Sequence, residues 1–240
     1  MADPPADTSA QPDASINHAA ALAYWSSNPP TVNSMLGGHP QLSRIDLQSS
    51  ANFLAKLRRS SRTHPPGKPL ARAVDCGAGI GRVTLGFLAK VVEVVDVVEP
   101  VEKFTRELVA GEGRGLKAVG KIGEVFNVGL EEWVPADDTY DLVWNQWCLG
   151  HLTDAQLVEY FRRCRGALVK GGWIVVKENM STDLEERDVF DEVDNSVTRT
   201  DGKFRTLFKQ CGLKIVATEV QRGFPKELYP VRVYALQPDG

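Results

Sequence analysis

The chain has few groups of the kind that hold metal or cross-link a fold. Its four cysteines, Cys76, Cys148, Cys164 and Cys211, show no Cys-x-x-Cys spacing, and its four histidines are scattered. A structural zinc site needs closely spaced pairs of such ligands, so this pattern argues against one, and no metal is expected. There is no basic excess. The net charge is −3 and the pI about 5.9, whereas a general nucleic-acid binder carries a basic face, so direct nucleic-acid binding is not expected. No apolar run is long enough to span a membrane and no signal peptide is visible. A soluble, intracellular protein in cytoplasm or nucleus, with reduced thiols, is the expectation.

What the sequence does have is an ordinary globular balance, 42% apolar and 25% charged over 240 residues. That suits one domain with decoration, large enough to need no staples. Residues 1–16, rich in Pro, Ala and Asp, read as a disordered tail. Residues 17–240 read as a single domain. Within it, residues 17–65 form a helical extension and linker, with helices near 17–26 and from 43 or 46 to 59, separated by MLGGHP.

From residue 66 strands alternate with helices. AVDC opens into GAGIGR; VTLGFLAKV reads as a helix with a weak spot at Gly86. EVVDVVEP is apolar enough for a strand buried on both faces. Strands near Val125 and at YDLVWNQW follow. Thr153 or Asp154 caps a helix that closes at Gly171. WIVVKENM is a strand, 201–212 a helix, and LKIVATEV and VRVYAL a final antiparallel pair. The pattern predicts an α/β fold: a Rossmann-like, doubly wound, seven-stranded, mostly parallel sheet with an antiparallel last strand.

DCGAGIGR sits between strand and helix. Gly77 and Gly79 let backbone approach a ligand, Gly81 lets the helix pack near the strand, and Glu99, followed by Pro100, ends the next strand about twenty residues on, where a carboxylate can accept ribose hydroxyls. The spacing is Gly-x-Gly-x-Gly after Asp75, not the Gly-x-Gly-x-x-Gly that seats a pyrophosphate. A Rossmann oxidoreductase is disfavoured on that ground.

This loop resembles the first motif of class I S-adenosylmethionine-dependent methyltransferases. The longer series YW…PPTVNSMLGG, DCGAGIGR, WNQWCLGHLTD, VVKENM and FDEVDNSVTR resembles the eukaryotic protein α-N-terminal methyltransferases, from Tyr24 to Leu236. The resemblance implies S-adenosylmethionine as cofactor and, as partner, the N-terminal peptide of proteins beginning Xaa-Pro-Lys. It implies that the glycine loop and Arg82 face the cofactor's amino-acid end together with Gln146, and that Gly129, Leu130 and Glu131 take the adenine. It implies that Trp147 is a platform for the prolyl ring, that Asp194 and His151 accept the amine proton, and that Asn179 holds the substrate's first residue. Asp191 with Ser196 would hold the lysine; FDEVDNS sets Asp191 and Asp194 three apart, on one face if it forms a helical turn. Trp25, Leu36, Gly37 and Tyr229 would line the entrance. Against the animal members of that family, Glu99 stands where an aspartate is common, and His39 follows the Gly-Gly pair where an aromatic often sits. Two other readings are a small-molecule N- or O-methyltransferase and a binder that keeps the fold without transfer.

Overall fold

The structure, a computed structural model, describes residues 11–239. The expected tail is therefore described only from residue 11, and there it is not featureless. Pro12–Ser15 forms a 3-10 turn, and Asp13 accepts the Asp154 backbone N–H at 2.8 Å. The rest of that expectation lies outside the described residues.

Helix α1 (His18–Ser27) starts where the Asn17 side chain accepts the Ala20 N–H. It stops at the extended Asn28, ahead of two prolines that cannot continue it. The short α2 (Val32–Met35) is capped by Thr31, and α3 (Ser43–Ser60) buries Phe53, Leu54 and Leu57. Then come β1 (Leu70–Cys76), α4 (Arg82–Gly86), β2 (Val92–Val98), α5 (Glu102–Ala110), α6 (Arg114–Ala118), β3 (Ile122–Phe126) and β4 (Tyr140–Gln146). They are followed by α7 (Asp154–Ala167), β5 (Leu168–Asn179), β6 (Val189–Asp191), β7 (Ser196–Thr198), α8 (Asp201–Gln210), β8 (Leu213–Val220) and β9 (Val231–Pro238).

Seven strands form one sheet in the order β3-β2-β1-β4-β5-β9-β8. The pairs among β1 to β5 are parallel, and β9 runs antiparallel between β5 and β8. Successive side chains of a strand point to opposite faces. Leu142 and Trp144 therefore meet α3 through Phe53, Leu54 and Leu57, while Val143 meets α7 and α8 through Tyr160, Phe161 and Phe204. Helices cover both faces, so β4 is buried along its whole length. The strand order reverses between β1 and β4, the place where an open α/β sheet leaves a crevice at its carboxyl ends.

Three expectations need correction. The helix expected to close at Gly171 ends at Ala167, because Leu168 is already extended and pairs with Tyr140. Gly171 instead takes φ +82 inside β5, where the β4–β5 register shifts. The helix after the glycine loop breaks at Phe87, and a separate turn covers Leu88–Lys90. Gly86 serves close packing there: a Cβ would stand 2.5 Å from Leu47 Cδ1. FDEVDNS is not a helical turn but the β6–β7 hairpin, with Asn195 left-handed at its bend.

Candidate active site

Two cavities open at the carboxyl ends of β1, β2 and β4. The larger, about 440 Å³, is lined by Gly77, Gly79, Arg82, Glu99, Pro100, Gly129, Leu130, Glu131 and Gln146, which are the residues expected to meet the cofactor. Gly77 and Gly79 have φ +66 and +56, and a Cβ on Gly77 would lie 2.3 Å from Cys148 Cβ. Only glycine fits that turn without strain. Glu99 Oε2 accepts the Gly79 N–H at 2.8 Å and Oε1 the Val101 N–H at 2.9 Å. Each oxygen keeps a second lone pair for a hydroxyl. Burial pushes this carboxyl up to about 7 against the pull of the two amides. Asp75 beneath the loop accepts the Thr84 hydroxyl at 2.6 Å, and burial raises it to about 6.

The second cavity, about 340 Å³, is lined by Leu36, Gly37, Asn179, Asp194, Ser196 and Tyr229 among others. Trp25, Met35, Trp147 and His151 line both cavities and form the wall between them. The end of β4 builds most of that wall. Trp147 follows the last strand residue with φ +54, a conformation that a bulky side chain adopts only when neighbours impose it. Its N–H donates to Lys177 O at 3.1 Å. The next two amides, Cys148 and Leu149, both donate to Glu178 Oε1 at 2.9 Å. The indole so held lies between the Arg82 guanidinium, 5.4 Å from the ring centre, and Phe224, 6.5 Å away.

His151 Nε2 accepts the Trp25 indole N–H at 3.1 Å, which assigns the proton of the neutral ring to Nδ1. Burial lowers its proton affinity below the ordinary histidine value, with Asp194 pulling the other way. His151 Nδ1 and Asp194 Oδ1 are both buried without a hydrogen-bond partner among the described residues. Buried polar atoms left open at a cavity wall are where a substrate's polar groups belong.

The hairpin reaches this wall because Gly150 carries no side chain; a Cβ there would lie 3.1 Å from Val197 O. Arg199, fully buried, binds the hairpin's end to the loop after β4 through Leu149 O, Leu152 O and Asp154. Asp191 is the expected site residue that this arrangement leaves out. It lines neither cavity, is exposed, and accepts the Val193 N–H at 2.8 Å while pairing across the hairpin with Ser196.

Sequence reasoning passed over Asp46, Lys177, Glu178 and Arg199. A signal existed for two of them: Lys177 and Glu178 are charges inside VVKEN, an apolar strand, and buried charges need partners. Arg82, expected at the cofactor's amino-acid end, also donates to Asp46 at 2.6 Å. Among the described residues no cluster of His, Cys, Asp or Glu could hold a metal ion, and no helix is long and apolar enough to cross a membrane.

A glycine loop over a buried acid at the sheet's switch point opens through an aromatic wall onto a second cavity, an arrangement suited to a nucleoside cofactor beside an acceptor, as in class I S-adenosylmethionine-dependent methyltransferases. The family model for AdoMet-dependent proline di-methyltransferases matches residues 13–237, and the chain belongs to that family. It is 43% identical over 221 residues to alpha N-terminal protein methyltransferase 1 of Schizosaccharomyces pombe, covering 91% of this chain and 94% of the relative. To human N-terminal Xaa-Pro-Lys N-methyltransferase 1 it is 39% identical, covering 90% and 93%. A SAM-dependent methyltransferase of Leishmania major shares the fold with TM-score 0.80 and 37% identity, covering 90% of this chain and 81% of that one. The cofactor is S-adenosylmethionine, and the donor cavity fits it: a cradle closed to side chains, an acid for hydroxyls, a guanidinium, and apolar Leu130.

Proposed function

We propose that this enzyme methylates the free α-amine of polypeptides beginning Xaa-Pro-Lys. The observation that carries the reading is the shared wall, where an indole and a neutral imidazole meet both cavities, together with the open carboxylate oxygen of Asp194 in the second cavity.

A prolyl ring is flat and rigid and packs well on an indole face, so Trp147 sets the second residue. Asn179, at the end of β5, is an amide placed to hold the first residue, and Tyr229 at the entrance offers a hydroxyl to the peptide backbone. Leu36, Gly37 and Trp25 of the extension close the space around them. Asp191 pairs across the hairpin with Ser196, which lines the second cavity, and this exposed edge is where the reading puts the substrate's lysine.

The cofactor supplies an electrophilic methyl group on a sulfonium sulfur. The chain would have to present a neutral amine lone pair to that group. A free α-amine has a pKa of about 8, so most of it arrives protonated at neutral pH. Asp194 Oδ1 attracts the ammonium and takes its proton: an N–H bond breaks, an O–H bond forms, and the lone pair is freed. His151 lines the same cavity, with the Asn195 backbone beside its ring. Its own lone pair is held by Trp25, so it orients the site and becomes an acceptor only when that indole moves.

The test is a methyl-transfer assay on a hexapeptide beginning Ser-Pro-Lys, beside the same peptide with its α-amine acetylated. Transfer to the first and none to the second is expected. A better rate on an internal lysine or a small amine would overturn the reading.

A further inference from the structure

Asp46 stands in the first turn of α3, in the extension rather than the α/β core, and is fully buried. Its carboxylate gathers three side chains. Oδ2 accepts Arg82 Nη1 at 2.6 Å and Gln146 Nε2 at 2.9 Å; Oδ1 accepts Lys177 Nζ at 2.5 Å and Gln146 Nε2 at 3.0 Å. Lys177 is held further by Ser50 Oγ at 3.0 Å. Gln146 is fixed from its other end by the Trp144 indole N–H, which its Oε1 accepts at 3.2 Å. Two of the three, Arg82 and Gln146, line the donor cavity, and Arg82 lies over the Trp147 ring.

Such a cluster is a weak source of stability, because apolar residues of similar volume often do as well in place of a buried ion pair. Its distinctive effect is orientation. Arginine is long and rotamer-rich, and a guanidinium already fixed by one arm loses less freedom when another arm takes a carboxylate.

We propose that Asp46 is a positioning residue for methyl transfer: it holds Arg82 and Gln146 as they must stand to receive the amino-acid end of the cofactor. The N-terminal helix α3 is thereby part of the donor site, although it contributes no residue to the cavity wall. The proposal rests on the reading of Arg82 as a contact to that end of the cofactor.

The test uses the full chain carrying both Asp46→Asn and Lys177→Met, which removes the buried pair together and strands no lone ammonium. Calorimetry compares two ligands. S-adenosylhomocysteine has the amino-acid end; 5′-methylthioadenosine keeps the adenosine and thioether without it. The double variant should bind the first about tenfold more weakly, the scale of one charge-assisted contact, and the second within about twofold of the parent. Asp46→Glu should recover part of the loss. Equal weakening of both ligands, or loss of binding altogether, would assign the cluster a structural role and overturn the proposal, as would no change for either. Arg82→Met separates the two layers. If it leaves the ratio of the affinities unchanged, the reading of Arg82 fails and this proposal with it. If it lowers that ratio and the double variant does not, the role of Asp46 alone fails.

Discussion

Asp194 and Trp147 face the same cavity, yet their losses should separate in kinetics. Asp194→Asn keeps the size and removes the proton acceptor, so kcat/KM on the Ser-Pro-Lys peptide should fall roughly 10²–10⁴-fold. Cofactor affinity should hold. Trp147→Ala removes an aromatic surface, worth about a tenfold rise in peptide KM, with kcat less changed. Steady-state assays over a range of peptide concentrations distinguish the two. At this scale the sequence was informative where polar residues interrupt a strand end, as Gln146, Trp147 and His151 do. It was silent about Asp46, because nothing in SRIDL indicates that its carboxylate will meet Lys177 in a strand 131 positions along the chain. A shared face for Asp191 and Asp194 is expected only on a helical turn; on the hairpin the same three-residue spacing sends the two aspartates to different surroundings.

At the scale of elements, the loop after β1 and the loop after β4 are fitted to each other through Gly77. Gly77→Ala would add a Cβ 2.3 Å from Cys148 Cβ on a left-handed backbone. The combined cost of the conformation and the overlap is roughly 2–4 kcal/mol. Chemical denaturation should show the loss of stability, and cofactor binding should weaken with it. The strands, their order near β1 and β4, and the glycine loop were legible because strands buried on both faces and Gly-x-Gly-x-Gly turns are written locally. Helix ends were less so. Gly171 looks like a helix terminus, yet pairing of Leu168 with Tyr140 claims the residues before it for the sheet. The hairpin at Val189–Thr198 had no local signature, being short, charged and held by the distant Arg199 contacts.

Across the whole molecule, buried carboxyls set the response to pH. Burial pushes Glu178 from 4.5 to about 7, against the amides of Leu149 and Cys148. The folded state thus binds that proton more tightly than the unfolded chain. Its contribution to stability is full below about pH 4, the ordinary range of a glutamate, and is lost as pH rises through about 7. Glu178→Gln imitates the protonated form. It should melt at a higher temperature than the parent at pH 8, by about 1 to 3 kcal/mol of stability, and alike at pH 5. Scanning calorimetry at the two pH values checks the sign. Glu178 also holds the amides just past Trp147, whose left-handed backbone lasts only while the carboxyl ends of β4 and β5 keep it so. A backbone kept under torsional tension beneath that indole is a gauge of that grip. Urea far below the unfolding midpoint should slacken the ring first, so the enzyme should lose its hold on proline while still retaining the sulfur nucleoside.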